Sequence, residues 1–518
     1  MSIIIKNNYD YCEKLEVSLT NFFQSDAILI GISLEAGKII FASEGYYDLF
    51  SYEIYNKDIA NVFTQRSIEK LVNFSSKLKS FNNKSRVLVN LEIYLKKYLV
   101  NIPSFMFFSG SVLCIEFQSN FDRLNYYFDE IKYQEILQYL TESKDSINVL
   151  SNNLCKYISE VTGFERTYFC EFLQNNHAVI KANYFSNGLE SILHHHYPAT
   201  DLPMSVREIY IKNKFRIIYN VDYIPLPIKG CINKIDLTYS IFRDISSIHL
   251  DYLRNMSLKS ATSFSIVVDG KLKGLIGGHS KHKNHTPIEL LPKIQTLVDA
   301  ISIKIKQLRN NIIKKVNVEF NSSIDEFVLS YEKSQCNFEK MPNKSFDLLK
   351  EIFSSHLLCY RYNSKNEESS VIPTEFVDEV LKKLKKYKIR NIYIFDRLVT
   401  FNPIFYKWSK SIGAGMLVIN LSNDLSNFIV LIRKEENHTL KWSGNPEELD
   451  LFSEEEKIVN PRRSFNTWLQ DINHKCKQWT MKDYEIALKL HNQLILTRSN
   501  LLNHVQMNRE IKFYETIN

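Results

Sequence analysis

Tyr197-Pro198-Ala199-Thr200-Asp201-Leu202-Pro203, followed by Arg207, Tyr210 and Arg216, is the stretch on which the reading of this chain turns. Downstream come Arg243, then Ile248-His249-Leu250-Asp251-Tyr252-Leu253-Arg254-Asn255-Met256, and last Val268-Asp269-Gly270-Lys271-Leu272-Lys273-Gly274-Leu275-Ile276-Gly277-Gly278-His279. Two prolines bracket an aspartate, several arginines follow, and two histidines lie thirty positions apart. Two separated arginines with a tyrosine and a histidine suit a dianionic ligand, because a guanidinium grips a carboxylate through two parallel hydrogen bonds. A metal does not fit the pattern: His249 and His279 lack a third ligand at a recognisable interval, and no Cys-x-x-Cys pair exists. In His194-His195-His196 successive side chains point in different directions, which reads as the end of a surface strand.

Outward from this block the chain divides into three mixed segments. Residues 26 to 130 alternate short apolar runs with turns: Ala27 to Ile32 and Lys38 to Phe41 flank Glu35-Ala36-Gly37 as a hairpin, and Arg86 to Ile93 and Ser104 to Phe117 read as further strands. A helical stretch from Tyr133 to Val161 opens the second segment, whose strands include Arg166 to Phe172, Val179 to Tyr184 and Ser263 to Val268. A long helical pattern then runs from about Pro287 to Leu329. Within it Ile294, Val298, Ile301, Ile305, Leu308 and Ile312 follow a 4-3-4-3-4 spacing, the seam of a coiled coil. We read it as a domain-joining helix that also offers its seam to a second copy. A third mixed segment spans about 330 to 480, and a helix from Asp483 to Phe513 closes the chain. The expected fold is α+β, three tandem domains with antiparallel sheets joined by long helices.

Composition narrows the classes of function. With 518 residues the chain is too long for one ordinary core. It is 44% hydrophobic and 13% aromatic, and its 14 glycines and 12 prolines are too few for a collagen-like or low-complexity protein. No run of about 20 apolar residues is present to span a bilayer, and the N-terminus turns polar after five residues, so neither a membrane span nor a secretory signal is expected. Eight cysteines spread along the chain read as free thiols of a reducing compartment, which makes the expected location cytoplasmic. The net charge of +7 comes from basic residues interleaved with acids, without an aromatic-interleaved basic stripe, so nucleic acid is not an expected partner.

These motifs resemble the photosensory module of a phytochrome, most closely the bacterial type that binds biliverdin. The likeness is densest over about 160 to 280, where Pro198-Ala199-Thr200-Asp201-Leu202-Pro203 stands for the family's P-x-S-D-I-P, and the 249–256 and 267–276 stretches follow in order. Far downstream, Pro461-Arg462-Arg463-Ser464-Phe465 matches the P-R-x-S-F motif of the family's hairpin "tongue", and Trp442-Ser443-Gly444-Asn445-Pro446 resembles its outward arm. The resemblance implies a PAS domain with the chromophore-attachment segment over 1–130. It implies a bilin-binding GAF domain over 131–310 and a PHY domain over 311–518, with the tongue at about 430–470 and a C-terminal signalling helix. It further implies that the N-terminal segment threads through a GAF loop.

Residue by residue, the resemblance makes Cys12 the thiol that joins ring A of biliverdin through a thioether, with Gln24 at the family's distance behind it. Ile248 stands where plant-type bilins attach, which favours biliverdin. Arg216 and Arg243 match the arginines that hold the propionates, with Ser263 as a hydroxyl on that side. The Asp201 carbonyl and a water held by His249 would face the pyrrole N–H groups, His279 the ring D carbonyl, and Tyr197, Tyr210 and Tyr252 the pocket wall. The Asp201 side chain would pair with Arg462 of the tongue, beside Ser464. Light would isomerise the C15=C16 bond, release that pairing, and let the tongue exchange strand for helix. A homodimer and a downstream histidine kinase or response partner are the implied partners.

Several positions depart from the pattern. In Gly163-Phe164-Glu165-Arg166-Thr167-Tyr168-Phe169-Cys170, Cys170 replaces the tyrosine that packs beside ring D, and Ser247 and Lys273 replace a proline and a tryptophan. The flank behind Cys12 has changed to 19–27, Leu-Thr-Asn-Phe-Phe-Gln-Ser-Asp-Ala. These changes keep open a photochemically impaired or chromophore-free dimeric scaffold, and a domain binding another small anion such as a cyclic nucleotide. With no phosphoacceptor helix pair or Gly-rich nucleotide box after the last helix, the chain is expected to sense and not to catalyse.

Overall fold

The structure, a computed structural model, describes residues 18–80, 85–96, 98–120, 128–173, 176–186, 188–202, 204–230, 233–362, 365–367, 372–386, 389–446 and 464–517. The chain forms two compact units, residues 1–306 with 441–468 and residues 307–440 with 469–518. Helices and antiparallel sheets are mixed throughout, the α+β class expected.

In the first unit the expected hairpin forms from Ala27–Ser33 and Lys38–Ser43, turning through Gly37 at φ 64°. Its neighbours are Val112–Gln118, Tyr98–Ser109 and Arg86–Leu95. The run expected as one strand from Ser104 to Phe117 is two strands, reversed at Gly110 with φ 58°. The period-2 alternation assigns the faces. Ile28, Ile30 and Ile32 pack into one core, while Ala27 and Leu29 face a second core that also holds Leu150, Leu154 and Ile158.

A strand from far along the chain, Leu226–Lys229, joins this sheet beside the hairpin. It also pairs with Phe22–Phe23, while Leu19–Thr20 pairs with Ile235–Asp236. The segment 19–24 is thus stitched along the 226–243 loop. Glu116 and Arg86 tie the same loop to the sheet. The Glu116 carboxylate accepts from the Ser240 hydroxyl and, at 2.9 Å, from the Ile241 N–H, and Arg86 donates to the Tyr239 carbonyl at 2.9 Å.

Burial pushes the Glu116 carboxyl up to about 7, against the lowering influence of its hydrogen bonds and of Arg86. Between the ordinary carboxyl range and about pH 7 the folded state therefore holds a proton that the unfolded state has released. Stability from this group is full below about pH 4.5, falls as pH rises to about 7, and is level beyond. Glu116→Gln, which keeps an acceptor for Ile241, is expected to flatten that slope. Urea midpoints at pH 5 and pH 8 measure it, and an unchanged difference between them would refute the assignment.

The second sheet of this unit runs in the order Phe215–Ile218, Ser260–Val268, Lys271–Ser280, Arg166–Phe172, Ala178–Phe185 and His195–Tyr197. Residues Lys441 and Trp442 then pair in parallel with His195 and His196. His195 is consequently buried inside a sheet and is not the surface strand end expected. The helix expected from Tyr133 to Val161 is two, Glu130–Glu142 and Ile147–Thr162. Ser146 starts the second by accepting from the Val149 N–H at 3.4 Å.

The long pattern after Pro287 is likewise two helices, Leu290–Glu319 and Asn321–Lys333, parted where Phe320 leaves helical geometry (φ −110°, ψ 0°). Its seam turns inward. Ile294, Val298 and Ile301 are buried with Phe264 and Ile276 in the first unit's core, and Ile312 packs on the second unit's core. Ile294, Val298 and Ile301 are thus occupied within the chain, while Ile305, Leu308 and Ile312 stay half-buried.

The second unit is built on a five-stranded antiparallel sheet in the order Lys365–Glu367, Leu357–Tyr362, Phe428–Arg433, Gly415–Asn420 and Ile392–Phe395. Helices 321–333 and Asn343–Ile352 and the long helix Met481–Ile517 supply one core, with Leu417, Ile419 and Leu431 from the sheet. Thr374–Leu384 covers the other face with Met416, Val418 and Val430.

Candidate functional site: arginines and histidines over one face of a sheet

The alternation that buries Phe169, Phe264 and Ile276 against the helices turns their neighbours to the opposite face of the second sheet. Cross-strand register then lays out two rows there. Arg216, Ser263, Gly277 and Tyr168 form one, and Ile218, Ala261, His279 and Arg166 the next. Above this face lie the turn Ala199–Asp201 and the helices Met204–Lys212 and Ser247–Asn255. The sequence thus brings Asp201, Tyr210, His249 and Tyr252 over Arg216, Ser263 and His279.

Arg207 pins the turn. It donates to the Leu202 carbonyl at 2.9 Å and to the Asn176 carbonyl at 2.6 Å, with its guanidinium 4.2 Å from the Phe172 ring centre. Tyr252 donates to the Asp201 carboxylate at 2.9 Å and stacks parallel to His249 with centroids 6.1 Å apart. Tyr252 also meets Phe465 in a T-shaped pair with centroids 4.9 Å apart. Burial, and then Arg216, lower the His249 pKa to about 4, so this ring is neutral at pH 7. His279 is 8% exposed and held well below the usual imidazole range by burial, Arg166 and His249.

Arg243 is 4% exposed, and its Nε and Nη1 atoms, like Nε of Arg216, are enclosed without a hydrogen-bond partner among the described residues. Arg216 donates through Nη2 to the carbonyls of Arg243 and Asp244. Burial lowers the Arg243 guanidinium to about 9, and the neighbouring Arg216 cation adds to the shift. Two cations enclosed together without a carboxylate bound to them cost free energy. A ligand carrying two carboxylates relieves that cost, and the donor set fits the propionates of a linear tetrapyrrole.

Gln24, fully buried, donates to the Arg243 carbonyl at 3.2 Å and so ties the N-terminal segment to this loop. Tyr197 packs with Cys170, Ile180 and Ile192 at the far end of the sheet. Burial pushes the Cys170 thiol up to about 12, so it stays protonated. All six described cysteines are buried. Ser464 is exposed, and Cys12 and Arg462 lie outside the described residues. Sequence reasoning missed two participants, Arg166 and Tyr168, which reach His279. Tyr223 donates to Asp244 at 2.6 Å. No group of His, Cys, Asp and Glu that could hold a metal occurs among the described residues, and no described helix is long and apolar enough to cross a membrane.

The fold is thus an α+β core in which enclosed arginines and histidines meet over one face of a sheet. The chain is similar to phytochromes. Residues 343–501 match the family model of the phytochrome region. The chain is 25% identical over 401 residues to cyanobacterial phytochrome B of Nostoc sp., covering 75% of this chain and 52% of that protein. It is 27% identical over 379 residues to a bacteriophytochrome of Pseudomonas aeruginosa, covering 70% and 50%. The chain thus spans about half the length of these curated relatives. Among solved structures, a bacteriophytochrome from R. palustris superposes with a TM-score of 0.81 at 19% identity, over 94% of this chain and 99% of that one. The photosensory core module of the Stigmatella aurantiaca phytochrome gives 0.79 at 20% identity, over 93% and 97%. The fold is that of a phytochrome photosensory core.

Proposed function

We propose that this chain is a red/far-red light sensor that binds biliverdin, and the observation that carries the proposal is the enclosed pair Arg216 and Arg243, whose Nε atoms and Arg243 Nη1 have no hydrogen-bond partner among the described residues. When bound, the pigment supplies light absorption and isomerisation at C15=C16. The chain's own residues do the rest. Arg216 and Arg243 receive the two propionates, with Ser263 alongside. The neutral His249 and the Asp201 carbonyl face the pyrrole N–H groups, and His279 faces the far terminal ring. Tyr197, Tyr210 and Tyr252 close the walls, with Cys170 leaving room near the far end. Cys12 is the proposed attachment thiol by its place in the resemblance, and the six described cysteines are all buried.

Tyr252 links the Asp201 carboxylate to Phe465, so a change around Asp201 reaches the 464–472 hairpin arm directly. In this reading Arg462 pairs with Asp201 in one state and releases it in the other. The hairpin is then the two-state element that signals toward the helix 481–517, to a kinase or other partner, with the chain sensing and not catalysing. A cytoplasmic homodimer completes the proposal.

The test is the absorption spectrum of the protein with added biliverdin, before and after red and then far-red light. A reversible change between red and far-red bands is expected. Bound but unchanging pigment would make the chain a photochemically blocked relative, and absence of bound pigment would leave a dimeric scaffold that keeps only the fold. In denaturing gels, Cys12→Ser is expected to abolish covalent pigment while leaving non-covalent uptake. A surviving covalent adduct would move the attachment elsewhere.

A further inference from the structure

We infer that Arg166 is a positioning residue that fixes His279 as a neutral ring with its hydrogen on Nε2, and that Tyr168 occupies this N–H until the carbonyl oxygen of a terminal lactam ring takes it. The inference deepens the bilin reading and rests on it for the identity of the ligand.

Arg166 Nη2 lies 3.1 Å from His279 Nδ1. A guanidinium has donors and no acceptor, so Nδ1 must present its lone pair and the ring hydrogen is left on Nε2. That nitrogen lies 3.2 Å from the Tyr168 hydroxyl, which therefore accepts the N–H. The charged and titratable groups facing the ring agree. Arg166 and Tyr168 come from the 166–172 strand and His249 from the 247–255 helix, and both Arg166 and His249 oppose a second proton on His279. His279 is thus a one-hydrogen donor, suited to an acceptor-only oxygen such as a lactam carbonyl and unable to switch to an acceptor at Nε2 while Arg166 is in place.

Tyr168 is held where it can compete for that hydrogen. Its ring lies over Gly277, its partner across the sheet, where a Cβ would come within 2.3 Å of the ring carbon bearing the hydroxyl. Only a residue without a side chain leaves that floor open. The phenol and imidazole centroids are 4.9 Å apart. Once an incoming carbonyl accepts from Nε2, the freed Tyr168 hydroxyl has its own hydrogen to donate to the same oxygen.

The experiment reads the ring directly, in pigment-free protein labelled with 15N-histidine. Nitrogen shifts report which ring atom carries the hydrogen. Wild type is expected to show His279 as the neutral Nε2–H form from pH 6 to 8. Arg166→Leu is expected to populate the Nδ1–H form or to protonate within that range, and Arg166→Lys, which keeps a donor, to restore the wild-type signature. Gly277→Ala, which pushes the Tyr168 ring aside, should keep the Nε2–H form and change only its hydrogen-bond shift.

A wild-type ring carrying its hydrogen on Nδ1 overturns the inference, even if Arg166→Leu fails to fold. An Arg166→Leu ring that keeps the wild-type form at every pH also overturns it. With biliverdin added, Arg166→Leu should acquire a pH-dependent shift of the long-wavelength band between pH 6 and 8 that wild type lacks. Failure of wild type to bind biliverdin would sink the light-sensor reading while the nitrogen shifts still decide the role of Arg166.

Discussion

Arg243→Met is expected to raise the thermal midpoint of the pigment-free protein while weakening biliverdin binding at least tenfold. The opposite signs follow from one fact: the guanidinium is enclosed beside Arg216 with Nε and Nη1 unpartnered. In pigment-free protein it is a buried cation with no carboxylate hydrogen-bonded to it, and an unsatisfied buried group of this kind costs about 1–3 kcal/mol. Methionine fills a similar volume and removes that cost. The Arg243 carbonyl, which accepts from Gln24 and Arg216, is backbone and survives the change. Binding then loses charge-assisted hydrogen bonds to a propionate, each worth about 1.5–3 kcal/mol, or about ten- to a hundredfold in affinity. Calorimetry of the pigment-free protein and a biliverdin titration measure the two effects. A lower midpoint with unchanged affinity would mean that Arg243 braces the loop and does not receive a ligand.

The same substitution at Arg433, in the second unit, is expected to destabilise by about 3–5 kcal/mol, because there the cation is paired. Arg433 Nη2 lies 2.9 Å from the Asp483 carboxylate and donates to the Phe353 carbonyl at 2.6 Å, and its guanidinium covers the Trp479 ring at 3.7 Å. Asp483 accepts in turn from the Thr480 N–H at 2.6 Å and the Thr480 hydroxyl at 2.7 Å, while its own N–H donates to that hydroxyl. This reciprocal box starts the helix 481–517, so one buried pair joins the end of the 428–433 strand to the first turn of the closing helix. Arg433→Met strands the Asp483 charge. Denaturant unfolding followed by tryptophan emission should show the loss. The double change with Asp483→Leu should recover part of it, falling short by about the 1 kcal/mol of a lost cap. A single variant as stable as wild type would refute the account.

How far the sequence could be read depended on the kind of contact involved. Strand alternation at 27–32 and the turn at Gly37 are local, and they were legible as a hairpin. The seam from Ile294 to Ile312 showed which side of the helix is buried, but periodicity carries no record of what it is buried against, and Ile294, Val298 and Ile301 pack into their own unit. In the pocket, Asp201, Arg216, Arg243, His249, Tyr252 and His279 were legible as an ordered set. Arg166 and Tyr168 were passed over in a stretch read only for Cys170. Period-2 alternation in that strand places 166, 168 and 170 on one face, and that signal could have found them. Glu116 gave no local sign, since its partners Ser240 and Ile241 are over 120 positions away.

The stitching of 19–24 along the 226–243 loop has a consequence for how the chain is made. Gln24 reaches the Arg243 carbonyl across 219 positions, so the N-terminal segment cannot settle until those residues have left the ribosome. At about 5–20 residues per second that is a wait of roughly ten to forty seconds. Throughout it Phe22 and Phe23 lack their partners at Leu226 and Pro227. Pigment supplied during that wait meets a nascent chain whose 19–24 segment has not yet found its place.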